Sequence, residues 1–191
     1  MTEKNLAHAL LTKLEEHIGS HSFGASPAEL YDPITYIMSL GGKRIRPLLS
    51  LLAYGMYGKN PEEILSQSAA IEVFHNFTLM HDDIMDQAPL RRGKPTVHEK
   101  WNANIAILSG DVMLVRAYDL LLPTPTALLP EVIRLFNKTA AEVCEGQQLD
   151  MNFEGYETVA EADYIEMIRL KTAVLLGFAL QLGALLAGAS K

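Results

Sequence analysis

Three carboxylates and two guanidinium groups share one short stretch, HDDIMDQAPLRRGKPT: Asp82, Asp83 and Asp86, then Arg91 and Arg92. On a helix, Asp82 and Asp86 lie one turn apart and project from one face, about 6 Å apart along the axis. Asp83 and Asp86 have the other same-face spacing. Like charges so placed repel and do nothing for a helix on their own. A divalent cation removes that cost, and Mg2+ takes a few carboxylates while water and substrate phosphates fill its other positions. The arginines follow in a glycine-containing loop, and the guanidinium is the side chain best shaped to grip phosphate oxygens. Metal-binding acid beside anion-binding base has the composition of a diphosphate site.

Other segments carry weaker signals of the same kind. In GGKRIRP (residues 41–47), Gly41 and Gly42 allow the backbone to fold back, while Lys43 and Arg46, three apart, point the same way at an anion. A helix end followed by a solvated basic turn accounts for the same string. His75 lies two turns before Asp82 on an apolar helix, where a histidine is more often a hydrogen-bonded core residue than a ligand. His81 faces elsewhere and is read as a cap on the acidic cluster. Gly146-Gln147-Gln148-Leu149-Asp150 places an amide and a carboxylate at a helix end. Lys171-Thr172 opens a last apolar helix, where the pair suits either a snorkelling lysine or a phosphate contact.

The elements that must position these groups are all helical: prolines and glycines separate helical stretches, and no segment alternates convincingly between polar and apolar residues. Helices are expected at 3–18, with Leu6, Leu10, Leu14 and Ile18 as its apolar stripe, at 28–40 and from Pro47 to Tyr57. Asn60 is the expected cap of a long helix from Pro61 to Asp86. The acidic cluster then falls at a C-terminal end, where the helix dipole disfavours negative charge and a cation is all the more useful. A polar loop covers 87–95, and further helices cover 102–121, 127–149 and 160–188. With 191 residues and 49% hydrophobic content, the chain (1–191) is long enough for one helical domain with a sizeable core. The net charge of −7 argues against nucleic acid as a partner, and a single cysteine fits a reducing cytoplasm. The apolar segment at 173–189 is at the lower edge of a membrane span and is read as a core helix, with no integral membrane segment.

Taken in order, GGKRIRP, IEVFHNFTLMHDDIMDQAPLRRGKPT, GQQLD and KT give the chain its resemblance: from about residue 30 to 188 it is similar to the trans-isoprenyl diphosphate synthases, the polyprenyl synthetase family. The resemblance implies an all-α, isoprenoid-synthase-like antiparallel helix bundle around a central apolar cavity, and pairing as a homodimer. It implies that Asp82 and Asp86 bind Mg2+ bridging the diphosphate of an allylic substrate, supported by Asp83 and contacted by Arg91. It assigns Lys43, Arg46, His75 and Arg92 to the diphosphate of isopentenyl diphosphate. Lys171, Thr172 and Gln147 complete the allylic side, with Asp150 behind them. Asp82, Asp83, Asp86, Arg91 and Lys171 then carry catalysis: they stabilise charge on a departing diphosphate, and the double bond of isopentenyl diphosphate attacks the allylic cation.

The family's second aspartate-rich motif does not follow Lys171, so the chain is read as an N-terminal portion of a longer synthase and is expected to be inactive alone. Three other readings compete. An HD-type metal phosphohydrolase would use His81 and Asp82 as its metal pair, but leaves Asp83, Asp86, both arginines and GGKRIRP unused. A non-catalytic synthase subunit would tolerate the missing motif. A terpene cyclase would share the aspartates without needing Lys43, Arg46 and His75. In the family a bulky side chain at the position of Phe77 stops chain growth, which implies a farnesyl or geranylgeranyl product. Phe77→Ala is expected to lengthen the product, and unchanged product lengths on chromatography would refute that role.

Overall fold

The computed structural model describes residues 3–189. Its helices are α1 (Glu3–Ser20), α2 (Ala28–Ser39), α3 (Ile45–Gly55), α4 (Leu65–Met85), α5 (Val97–Lys100), α6 (Ala103–Leu121), α7 (Leu129–Phe153), α8 (Glu161–Ile168) and α9 (Val174–Leu186). A 3₁₀ turn (Pro61–Ile64) leads into α4, and a π turn (Arg169–Ala173) joins α8 to α9. Strands β1 (Leu90–Arg91) and β2 (Lys94–Pro95) form an antiparallel hairpin. The chain divides into two compact units, residues 1–48 with 65–123, and residues 49–64 with 124–191.

The first unit is built around α4, which is buried on most of its circumference: Ala69, Ala70, Ile71, Val73, Phe74 and Met80 lie inside, together with the polar Gln67, Ser68, Glu72, Asn76 and Asp83. α1 offers it Leu10, Leu14 and Ile18, all buried, whereas Leu6 is 42% exposed, so the expected stripe begins one turn late. α6 starts where the Asn102 side chain accepts a hydrogen bond from Ile105 N at 2.9 Å. It packs along α4, and Ser66 Oγ donates to the Leu120 carbonyl at 2.8 Å. Gly110 allows a close approach: a β-carbon there would stand 2.2 Å from His81 Nε2.

In the second unit Asn60 caps the 3₁₀ turn, accepting from Glu62 N at 3.2 Å, as its position before Pro61 predicts. The centre of the unit joins α7 to α9 through Phe136 and Phe178, whose rings lie 5.7 Å apart. The stretch Glu161–Leu186 is long and apolar enough by composition to cross a bilayer. One side of it, including Met167, Leu170, Leu175, Phe178 and Leu182, is buried. Gly183 carries the approach of α9 to α3, because a β-carbon there would lie 2.2 Å from the Ser50 carbonyl oxygen and 2.9 Å from Ala53 Cβ.

Three local expectations give way. Residues 87–95 are not a plain loop: Arg92 (φ +53) and Gly93 (φ +76) make a two-residue left-handed turn, which closes a hairpin. Thr96 pins its base, its N–H donating to Pro89 O at 3.1 Å and its hydroxyl to Ala88 O at 2.7 Å. α7 runs a turn further than expected, because no glycine or proline follows Asp150 until Gly155, so GQQLD lies inside the helix. The short α5 precedes α6 and was not expected.

Replacing Gly183 with alanine should lower stability by about 1–3 kcal/mol, since backbone rather than a side-chain tip blocks the new methyl group. Denaturant unfolding measures this, and an unchanged midpoint would contradict the α9–α3 contact.

Candidate active site

The three aspartates separate into two kinds. Asp83 is buried and receives a guanidinium fork: Arg91 Nε donates to Oδ2 at 2.8 Å and Nη2 to Oδ1 at 2.7 Å. Such bidentate pairing fixes orientation as well as charge. The Asp83 hydrogen bond, against the opposing effect of burial and with Asp82 and Asp86 adding attraction, raises the Arg91 pKa. Arg91 Nη2 also lies 3.8 Å from Asp82 Oδ2, so the fork holds the guanidinium beside the acidic pair.

Asp82 and Asp86 sit one turn apart at the C-terminal end of α4, Asp86 N donating to Asp82 O at 2.9 Å. Among the described residues, no group of three or more His, Cys, Asp or Glu side chains is placed to hold a metal. Two carboxylates in one turn nevertheless fit Mg2+, a hard cation that completes its shell with water and phosphate oxygens. They suit an ion that arrives with a diphosphate better than a resident structural metal. His81 does not cap this cluster. Its Nε2 lies 3.2 Å from the Ile107 carbonyl and against Gly110, which also takes away the histidine–aspartate pair that a phosphohydrolase would need.

A basic cavity of about 470 Å³ opens in the same unit, lined by Gly42, Lys43, Arg44, Ile45, Arg46, Glu72, His75 and Arg92. All four residues assigned from sequence to the isopentenyl diphosphate side therefore meet in one place. Arg46 Nη1 lies 3.3 Å from His75 Nε2. Burial first, then the positive charges of Arg46, Arg92, Arg91 and Arg44, depress the His75 pKa to about 3. The imidazole is thus neutral at physiological pH and able to accept a hydrogen bond from Arg46. Burial also lowers the pKa values of Arg46 and Arg92, against the attraction of Glu72, and for Arg92 the charges of Arg44 and Arg91 add to the effect. Gly42 makes room for Arg92, whose Nη2 would stand 3.1 Å from a β-carbon at that position.

Arg44 and Glu72 are the charged lining residues that sequence did not assign. Arg44 Nη1 donates to Glu72 Oε1 at 2.5 Å, and its Nε donates to Glu15 Oε1 at 2.8 Å. Burial opposes the charge on Arg44, but the Glu15 and Glu72 bonds outweigh it and raise the pKa. One signal was available: a lone acid inside the apolar run AAIEVFHN is rarely buried without a counter-charge.

In the second unit, Lys171 Nζ donates to Asp150 Oδ2 at 2.5 Å. Gly146 permits this, since a β-carbon would lie 2.2 Å from Lys171 N on the π turn. Gln147 lies one residue along α7 from that contact, while Thr172 is exposed. π turns often mark functional positions in helices. Phe77, half-buried on α4, stands between Phe74 (5.6 Å between rings) and His81 (4.7 Å).

Comparison with known proteins gives one consistent answer. Residues 27–191 match the model of the family described as polyprenyl synthetase. A geranylgeranyl diphosphate synthase of Methanosarcina mazei is 45% identical over 167 residues, 86% of this chain and 51% of that protein. A short chain isoprenyl diphosphate synthase of Methanocaldococcus jannaschii is 39% identical over 179 residues, 93% of this chain and 54% of that protein. A crystallised geranylgeranyl pyrophosphate synthase superposes with a TM-score of 0.94 at 49% identity, covering 97% of this chain and 57% of its own. The helical-bundle fold is therefore that of the isoprenoid synthases. The chain spans about half the length of the curated relatives it matches.

The depressed His75 pKa makes the folded state bind fewer protons than the unfolded chain between pH 6.5 and about 3. Its contribution to stability is complete above pH 6.5 and is lost as pH falls towards 3. His75→Gln should flatten the acid side of the stability profile, measured by denaturant unfolding across that range, and an identical profile would exclude a buried neutral His75.

Proposed function

The chain belongs to the polyprenyl synthetase family, and on that footing we propose that its protein condenses isopentenyl diphosphate with an allylic diphosphate to give farnesyl or geranylgeranyl diphosphate. The observation that carries this is the division of charge within the first unit. An acidic helix end with an arginine locked beside it is set apart from a cavity of several cations around a neutral imidazole. Two anionic substrates with different needs match that division. The relatives' names support it, several being geranylgeranyl diphosphate synthases.

On the allylic side, Asp82 and Asp86 would hold Mg2+, which when bound supplies Lewis-acid stabilisation to a diphosphate leaving group. Arg91, held by Asp83, donates hydrogen bonds to the same diphosphate; the family resemblance assigns Lys171, Gln147 and Thr172 to the allylic substrate as well. These donors stabilise the charge that grows on oxygen as the allylic C–O bond breaks. On the other side, Lys43, Arg46 and Arg92 grip isopentenyl diphosphate, with His75 orienting Arg46. Its double bond then attacks the allylic carbon and a proton is lost from the new chain. Phe77, one turn and a half before Asp82, limits how far that chain extends.

A second copy is the proposed partner. On α6, Leu108 and Val115 are exposed at heptad spacing, and Leu122 continues the row past its end. Neither nucleic acid nor an integral membrane segment has a role, and the proposed compartment is the cytoplasm.

The test is prenyl transfer by the purified protein with isopentenyl and allylic diphosphates and Mg2+. Asp82→Ala should reduce kcat by about 10²–10³-fold while calorimetric binding of isopentenyl diphosphate persists. Full activity in that variant, or after removal of Mg2+ by chelation, would overturn the assignment.

A further inference from the structure

Arg44 borders the basic cavity yet is only 4% exposed, and its guanidinium is committed on several sides. Beyond the bonds to Glu72 and Glu15 Oε1, its Nη2 donates to the Met38 carbonyl at 3.1 Å and reaches Glu15 Oε2 at 3.4 Å. Its backbone adopts φ +47, a conformation that a residue with a β-carbon keeps only where its surroundings fix it. Glu72 is 2% exposed and is also bonded by Asn76 Nδ2 at 3.0 Å. A continuous line of charge-assisted bonds therefore runs from α1, through the turn after Gly42, into α4.

The turn so clamped presents Lys43 immediately before Arg44 and Arg46 two residues after it. The 3.3 Å contact of Arg46 with His75 closes the loop back onto α4, one turn beyond Glu72. The position of Arg44 thus sets where both cations stand. Glu15, which supplies two of the acceptors, lies before the segment matched to the family model, which begins at residue 27.

We propose that Glu15, acting through Arg44, is a positioning residue for the cavity that takes isopentenyl diphosphate: α1 locks the turn that aims Lys43 and Arg46 at the ligand. This rests on the assignment of that cavity made above. Simple electrostatics predicts the opposite sign, because removing an acid near a cationic cavity should tighten an anion. The Glu15 side chain is 47% exposed, however, so its field is screened by water. Taking it away strips acceptors from a buried guanidinium, an effect that water does not screen. Geometry wins, and binding weakens.

The experiment is calorimetry with isopentenyl diphosphate, together with KM for both substrates, on the purified protein and on Glu15→Gln. Glu16→Gln serves as control, because it removes the same charge from α1 at a residue paired with Lys13. Glu15→Gln should raise the Kd and KM for isopentenyl diphosphate on the order of fivefold, with kcat and the allylic KM changed less than twofold, and Glu16→Gln should match the parent. In an Arg44→Lys background the Glu15 effect should vanish. If that background does not fold, the comparison of the two glutamate variants decides alone. Unchanged or tighter binding in Glu15→Gln, equal loss of both substrates, or the same loss in Glu16→Gln would overturn the proposal. A parent protein that does not bind isopentenyl diphosphate would instead overturn the assignment of the cavity.

Discussion

Glu72 and Asp83 leave α4 on the same side, about three helical turns apart, and both are buried. A carboxylate removed from water needs a counter-charge or it gives up its ionisation, and losing one member of such a pair costs about 3–5 kcal/mol. Arg44 answers the first and Arg91 the second. Both arginines come from tight turns with left-handed residues, Arg44 itself in one and Arg92 next to Arg91 in the other. Two basic segments distant in the chain are therefore drawn onto one helix by the charges that helix buries. The cations left over, Lys43, Arg46 and Arg92, are then concentrated around one cavity.

This accounts for the different electrostatic character of neighbouring groups. Arg91 is stabilised in its charged form because its acids are within the protein. Arg46 and Arg92 are destabilised in theirs chiefly by burial, and His75 is stripped of its proton by burial and then by the surrounding arginines. The two clusters therefore differ in kind: one has its charge matched by acids of the chain, and the other gathers cations that burial disfavours.

Much of this was legible in the residues. The order and approximate limits of the main helices follow from proline, glycine and apolar spacing. Asn60 caps as its position suggests, and Asp82 and Asp86 end their helix. The basic residues of GGKRIRP do meet His75 and Arg92. What stayed hidden depends on contacts distant in sequence. Nothing local says that Arg44 is drawn onto Glu15 and Glu72 while Lys43 and Arg46 are left to line the cavity, because its acceptors come from α1 and α4. The hairpin at 90–95 escaped because its turn uses an arginine at a left-handed position where asparagine or glycine is the usual signal. His81 was misdirected because the space it fills is created by Gly110, on another helix.

The wide turn at Arg169–Ala173 accommodates one residue more than a regular helical turn would, which rotates everything after it by about 100° relative to an unbroken helix. Lys171 can therefore reach across to Asp150 while Leu175, Phe178 and Leu182 remain seated among apolar neighbours. The offset works like a gear tooth skipped: one continuous helical stretch serves a polar client at one end and an oily one at the other. A lineage that lost the extra residue would have to choose between them.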